Sequence, residues 1–156
     1  MRVLGETFWE KGNLTKMGVY ITDVEMGFLF GSTNPVKHSS VLDIGAGAGR
    51  FSIPLSEKDM HVNAIDLSLH GLKRLRLKNK NINTILSDAR AIPLKDDIID
   101  IIVMVEVLDY VPELDYALAE CERILKPGGS FVFTCGNKSS LKGKLKRLRR
   151  QPYLHS

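Results

Sequence analysis

A chain of 156 residues with 44% apolar content can fill one hydrophobic core and is too short for two, so residues 1–156 are expected to form one domain. Its formal charge of +4 comes from residues 137–156, which hold seven Lys/Arg and no acid and leave fifteen Lys/Arg against eighteen Asp/Glu in the rest of the chain. Basicity confined to a tail argues against a nucleic-acid-binding surface over the whole molecule. No stretch approaches the roughly eighteen apolar residues of a membrane span, and acids and glycines stand where a leader would need an apolar run, so a cytoplasmic protein is expected. Cys121 and Cys135 lack metal-binding spacing and read as reduced thiols, and no metal is expected.

In chain order, residues 1–35 mix aromatics and methionines with glycines, and a helix is expected only around Tyr20 to Phe30. Asn34-Pro35 marks a turn. Alternation then begins: strand 40–44, helix 49–58, strand 61–66, helix 68–79, strand 82–86, a short connector helix near 89–91, strand 98–105, helix 112–125 and strand 130–135. Such βα repetition predicts an α/β, Rossmann-like, doubly wound and mainly parallel sheet of about five strands, with flanking helices and right-handed crossovers. The run Ile98 to Val105 is apolar on both faces apart from Asp100, as suits a central parallel strand. Lys73, Arg74, Arg76, Lys78 and Lys80 read mainly as a solvated helix face. Pro112 reads as a first-turn proline. In the tail, Leu141, Leu145 and Leu148 recur at helical spacing among the cations, which predicts a basic amphipathic helix over 137–156.

The strand 40–44 runs into Gly45-Ala46-Gly47-Ala48-Gly49, a glycine-rich turn that allows positive φ and close approach of a nucleotide-like ligand to the backbone. The start of the next helix would add N–H groups suited to an anion. About twenty residues on, the second strand ends in Asp66, where doubly wound folds place the acceptor of ribose hydroxyls. The alternative role for Asp66, capping the next helix, can fall instead to Ser68.

These residues carry a resemblance. Asp43-x-Gly45-x-Gly47-x-Gly49 lacks the Gly-x-Gly-x-x-Gly spacing of dinucleotide dehydrogenases and is similar to the first motif of class I S-adenosylmethionine-dependent methyltransferases, of the methyltransferase-11 type. Ser87-Asp88-Ala89-Arg90-Ala91-Ile92-Pro93-Leu94 resembles that family's Asp-Ala-x-x-Leu-Pro signature, and Leu125-Lys126-Pro127-Gly128-Gly129 resembles its entry to strand five. The resemblance spans residues 41–135. It implies S-adenosyl-L-methionine as cofactor, with Gly45, Ala46, Gly47 and Gly49 around the methionine moiety and Asp43 holding its ammonium group directly or through water. It further implies Asp66 on the ribose, Leu67 on the adenine face, Asp88 and the Ala89 N–H on the adenine edge, and Val105 and Glu106 beside the sulfur. Asp100 is read as structural, because the family often has Asp there. Asp109 occupies the loop where many relatives carry His and is the candidate base, with a capping or solvated role equally open. Phe8, Trp9 and Tyr20 belong either to a lid or to an ordinary packing helix.

Methyl transfer to a small molecule is the expected function. Behind it stand a non-catalytic cofactor-binding subunit, an RNA or protein methyltransferase that would use the basic tail, and, disfavoured by the glycine spacing, an NAD-dependent oxidoreductase. The family usually continues with two more strands, so the outer edge of strand five is expected to need cover from the tail or from a second subunit.

Overall fold

The computed structural model describes residues 4–33 and 35–135, so the helix expected over 137–156 lies outside the described residues. The elements run α1 (Phe8–Asn13), α2 (Lys16–Thr33), β1 (Ser40–Ile44), α3 (Ser52–Ser56), β2 (His61–Asp66), α4 (Leu69–Lys78), β3 (Asn83–Leu86), β4 (Ile99–Met104), α5 (Leu114–Ile124) and β5 (Leu125–Phe133). A 3-10 turn, Leu108–Tyr110, lies between β4 and α5.

The five strands form one parallel sheet in the order β3-β2-β1-β4-β5. β1 lies at the centre of the order, and Val41, Leu42, Asp43 and Ile44 are all buried, as a strand covered on both faces requires. Successive side chains of β1 point to opposite faces. Val41 packs with Leu29 of α2, Leu55 of α3 and Leu75 of α4 on one face, whereas Leu42 and Ile44 pack with Cys121 and Ile124 of α5 on the other. The expected helix-covered sheet is therefore present, with β3 and β5 at its edges among the described residues.

Several expected boundaries move, each for a local reason. The helix expected over 49–58 is only Ser52–Ser56, because Gly49 sits at φ 93 and closes a turn by donating its N–H to Ala46 O. The connector expected at 89–91 is a turn, closed by Ala91 N–H to Asp88 O. Pro112 does not open α5: the helix starts at Leu114 behind Glu113, whose φ of 50 is left-handed and breaks the helical path between them. β5 starts at Leu125 rather than 130, and Lys126-Pro127-Gly128-Gly129 bulges out between the pairs Ile99/Leu125 and Ile101/Ser130.

Asp100 is structural, as expected. Its Oδ2 accepts from Ser40 N–H at 2.8 Å and the Ser40 hydroxyl at 2.6 Å, and its Oδ1 from Lys126 Nζ at 2.8 Å. Burial works against ionisation there, but those bonds overcome it and hold the carboxyl at about 2. The staple joins β1, β4 and the Lys126 bulge at the end of the sheet opposite the glycine turn.

Candidate cofactor site

In a parallel sheet all strands deliver their carboxyl ends to one edge, and ligands bind where the strand order reverses. Here that point lies between β1 and β4, because the chain winds from β1 outward to β2 and β3 and then returns to the other side of β1. Gly45–Gly49 follow β1, Asp66 ends β2 and Leu67 follows it, Asp88 and Ala89 follow β3, and Val105 and Glu106 follow β4. The fold thus brings these segments, distant in sequence, to one edge.

The glycine turn is held from below and is open above. Gly45 and Ala46 donate their N–H groups to Ile65 O at 2.9 and 3.0 Å, and Gly47 donates to Asp66 Oδ2 at 2.7 Å. Gly45 has φ 75, and a Cβ there would lie 2.2 Å from Val107 Cγ2. Gly47 has φ 51, and a Cβ there would meet nothing within 4 Å. On the helix side, a Cβ on Gly71 would come within 3.0 Å of Gly47 C, so a glycine in α4 lets that helix approach the turn.

Asp43 stands beneath this turn, 3% exposed, and accepts from the Ser52 hydroxyl at 2.5 Å. Burial pushes its carboxyl up to about 6, the Asp66 charge pushes the same way, and two bonds from Ser52 oppose them. Asp66 bridges two elements, since its Oδ1 accepts from Ser68 N–H at 2.7 Å while Oδ2 holds Gly47. Ser68 is the N-cap of α4, accepting from Gly71 N–H at 3.1 Å. Each carboxylate oxygen of Asp66 retains a second lone pair. Leu67 follows, 73% exposed. An open glycine cradle, an acid with acceptor capacity left and an exposed apolar side chain beside it fit an adenosyl group.

Asp88 is paired within its own turn. Its Oδ1 accepts from Arg90 N–H at 2.9 Å and its Oδ2 from Arg90 Nη2 at 2.7 Å, while Arg90 Nη1 reaches Glu113 at 2.7 Å. The Arg90 bonds hold the Asp88 carboxyl below its usual range. Asp109 lies exposed on the 3-10 turn.

The sequence reading missed Arg50, which follows the glycine turn and ties three elements together. Its Nε donates to Thr22 Oγ1 at 2.8 Å and its Nη2 to Glu25 at 2.6 Å, both on α2, while its Nη1 donates to Glu106 at 2.9 Å. Burial pushes the Glu25 carboxyl up, against the pull of Arg50 and with the push of Glu106. A single charge between Gly49 and the apolar run from Phe51 was the available signal. Arg74 and Lys78 also leave the solvated face assigned to them, because both pair with Glu10 of α1 at 2.6 Å. Phe8 and Tyr20 are exposed.

Comparison with known proteins agrees with this geometry. Residues 42–133 match the family model described as a methyltransferase domain. The chain is 34% identical over 119 residues to malonyl-[acyl-carrier protein] O-methyltransferase of Hamiltonella defensa, covering 76% of this chain and 46% of that protein. It is 28% identical over 141 residues to ubiquinone biosynthesis O-methyltransferase of Idiomarina loihiensis, covering 87% and 58%. The S-adenosylmethionine-dependent methyltransferase from Mesorhizobium loti is 27% identical, with a TM-score of 0.66 over 72% of this chain and 54% of that one. The chain thus spans about half the length of the curated relatives it matches. With its motifs, sheet order and matched span in agreement, the chain belongs to the methyltransferase-domain family, with the class I fold of S-adenosylmethionine-dependent methyltransferases.

Proposed function

We propose that the protein transfers a methyl group from S-adenosyl-L-methionine to an oxygen of a small-molecule acceptor. The observation that carries this reading is the edge at which the open Gly47 turn, Asp66 and Leu67 meet beside the end of β4. The Hamiltonella defensa and Idiomarina loihiensis proteins are O-methyltransferases by description, which supports oxygen as the acceptor atom. When bound, the cofactor supplies an activated methyl on sulfur whose departure leaves a neutral thioether.

The protein's own task is then alignment and exclusion of water. Gly45, Ala46, Gly47 and Gly49 would cradle the methionine part, and Asp66 would take the ribose hydroxyls on its free lone pairs. Leu67 would cover the adenine face, and Asp88 with the Ala89 N–H would read its edge. Val105 and Glu106 would border the sulfur. Asp43 would hold the ammonium group through water, because its carboxylate is buried and bonded to Ser52. Asp109 is the proposed proton acceptor for the incoming hydroxyl or carboxyl group.

Titration calorimetry with S-adenosylmethionine and with NAD tests the cofactor. Binding of the first and not the second is expected, and the reverse result would overturn the reading. At 100 times its dissociation constant the ligand should stabilise the fold by about 2.7 kcal/mol, or about 5 to 11 °C in melting temperature. Asp66→Ala should weaken binding by roughly 10- to 100-fold, the worth of charge-assisted hydrogen bonds. Radiolabelled methyl donor presented with hydroxylated and carboxylated acceptors then tests the reaction. Asp109→Asn should lose rate while keeping cofactor affinity, and an unchanged rate would return Asp109 to a structural role. Binding without transfer to any small molecule, RNA or protein would favour a non-catalytic cofactor-binding subunit.

A further inference from the structure

Arg90 has no part in the roles assigned above, yet it spends its whole guanidinium on the base end of the site. Its main-chain N–H and Nε reach Asp88 Oδ1 at 2.9 and 3.1 Å, its Nη2 reaches Asp88 Oδ2 at 2.7 Å, and its Nη1 reaches Glu113 at 2.7 Å. Glu113 is the N-cap of α5 and is held at φ 50. The turn after β3 is thereby tied to the start of α5 through one planar group, and the Asp88 carboxylate is gripped at both oxygens.

A carboxylate in such a fork cannot rotate freely, and its syn lone pairs are spoken for. Oδ1 already has two donors from Arg90 within 3.1 Å. Oδ2 has one short bond, at 2.7 Å, and a longer approach from Nε at 3.2 Å. Nε is shared between the two oxygens, so the three Arg90 donors leave about one of the carboxylate's four acceptor positions open to a ligand. An acceptor with fixed position and no proton of its own favours a ligand that presents a donor and penalises one that presents a carbonyl oxygen.

Resting on the cofactor reading above, we propose that Arg90 is a positioning residue for base selection: by clamping Asp88 in a fixed orientation as an ionised acceptor, it makes the site prefer a purine with an amino group at position 6 over one with a carbonyl there. Glu113 completes the clamp by holding the far side of the guanidinium. The role requires a fork, because Lys can place a charge near Asp88 but cannot make two parallel bonds to it.

Calorimetry with S-adenosyl-L-homocysteine and its 6-oxo counterpart, S-inosyl-L-homocysteine, tests this on the whole chain. The wild type should prefer the adenine ligand by roughly 10- to 100-fold, the range for a hydrogen bond to a charged group. Arg90→Gln should reduce that preference by about 2- to 10-fold, the cost of ordering one freed side chain, with the loss falling on the adenine ligand alone. Arg90→Lys should behave like Arg90→Gln. Because Arg90 is partly exposed, with 32% of its side chain accessible, both variants should stay folded, which a melting curve checks. An unchanged preference in Arg90→Gln, when Asp88→Asn abolishes it, would overturn the clamp. So would equal weakening of both ligands, or full preference in Arg90→Lys. A wild type that binds both ligands equally would overturn base selection and leave the cofactor reading intact, whereas a wild type that binds neither would overturn the cofactor reading itself.

Discussion

Gly45 and Gly47 both sit at positive φ, but different things require glycine at each. At Gly45 a side chain meets Val107 at 2.2 Å as well as the backbone penalty of φ 75. Gly45→Ala should therefore cost roughly 2 to 4 kcal/mol of stability, combining left-handed strain with overpacking. At Gly47 nothing lies within 4 Å, so Gly47→Ala should cost only about 1 to 2 kcal/mol. Its methyl group instead occupies the open space above the turn, where the proposed ligand sits. Urea unfolding and cofactor titration on both variants check the contrast: Gly45→Ala should lose more stability, and Gly47→Ala should lose cofactor affinity out of proportion to its stability. Equal losses of both kinds in the two variants would remove the distinction between support and cradle.

Among the elements, the two N-terminal helices show how ion pairs placed segments that hydrophobic pattern did not. α1 starts at a capping box in which Thr7 Oγ1 accepts from Glu10 N–H and Glu10 Oε2 accepts from Thr7 N–H. Glu10 also receives Arg74 and Lys78 of α4. Burial opposes the charge, but the bonds from Arg74 and Lys78 prevail and hold the Glu10 carboxyl well below its usual range. Gln at position 10 can still serve the capping box, so Glu10→Gln isolates the ion cluster. It should destabilise by roughly 1 to 3 kcal/mol, the cost of leaving partly buried charges without their partner. Hydrogen exchange should show faster opening of α1 with β1 unaffected, and unaltered protection of α1 would show that the cluster contributes nothing. α2 is attached through Arg50 and through Leu29, Met26 and Phe30. Its other side carries Met17, Tyr20, Val24 and Phe28, all exposed.

For the whole molecule, the carboxylates divide into two groups with opposite consequences for stability against pH. Asp43 titrates near 6 in the folded state against an ordinary 3.8, so between those values the folded protein binds more protons than the unfolded chain. Stability must then fall as pH rises through that window, by about 3 kcal/mol from this group. Asp100, held at about 2, works the other way. Its contribution is present above about pH 4 and is lost as pH falls toward 2. Glu10, Asp88 and Glu120 are also lowered and add to the acid loss. Chemical denaturation across pH 3 to 7 should therefore show greatest stability near pH 4, with a decline on either side. Asp43→Asn should shrink the decline from 4 to 7 to the part that the raised Glu25 carboxyl contributes, and leave the acid limb in place. A decline of unchanged slope in that variant would reject Asp43 as its source.

Much of the core was legible from residue order alone. The strand ending at Ile44, the one ending at Asp66 and the apolar run through Val103 are set by local hydrophobic pattern, and a parallel sheet follows from their alternation with helices. Ser68 as cap was legible from a short sequence offset, whereas the structural role of Asp100 came from the family resemblance and not from the apolar run around it. α2 was only partly legible, because apolar residues on both of its sides erase the amphipathic period that would mark its ends. The short α3, the left-handed Glu113 and the bulge at Lys126–Gly129 depend on backbone angles and register that residue types permit but do not dictate. Pairings such as Arg50 with Glu25 and Glu106, Glu10 with Arg74, and Arg90 with Glu113 join residues far apart in the chain. Only the folded sheet, by carrying its strand ends to one edge and its helices onto its faces, brings those charges within reach of one another.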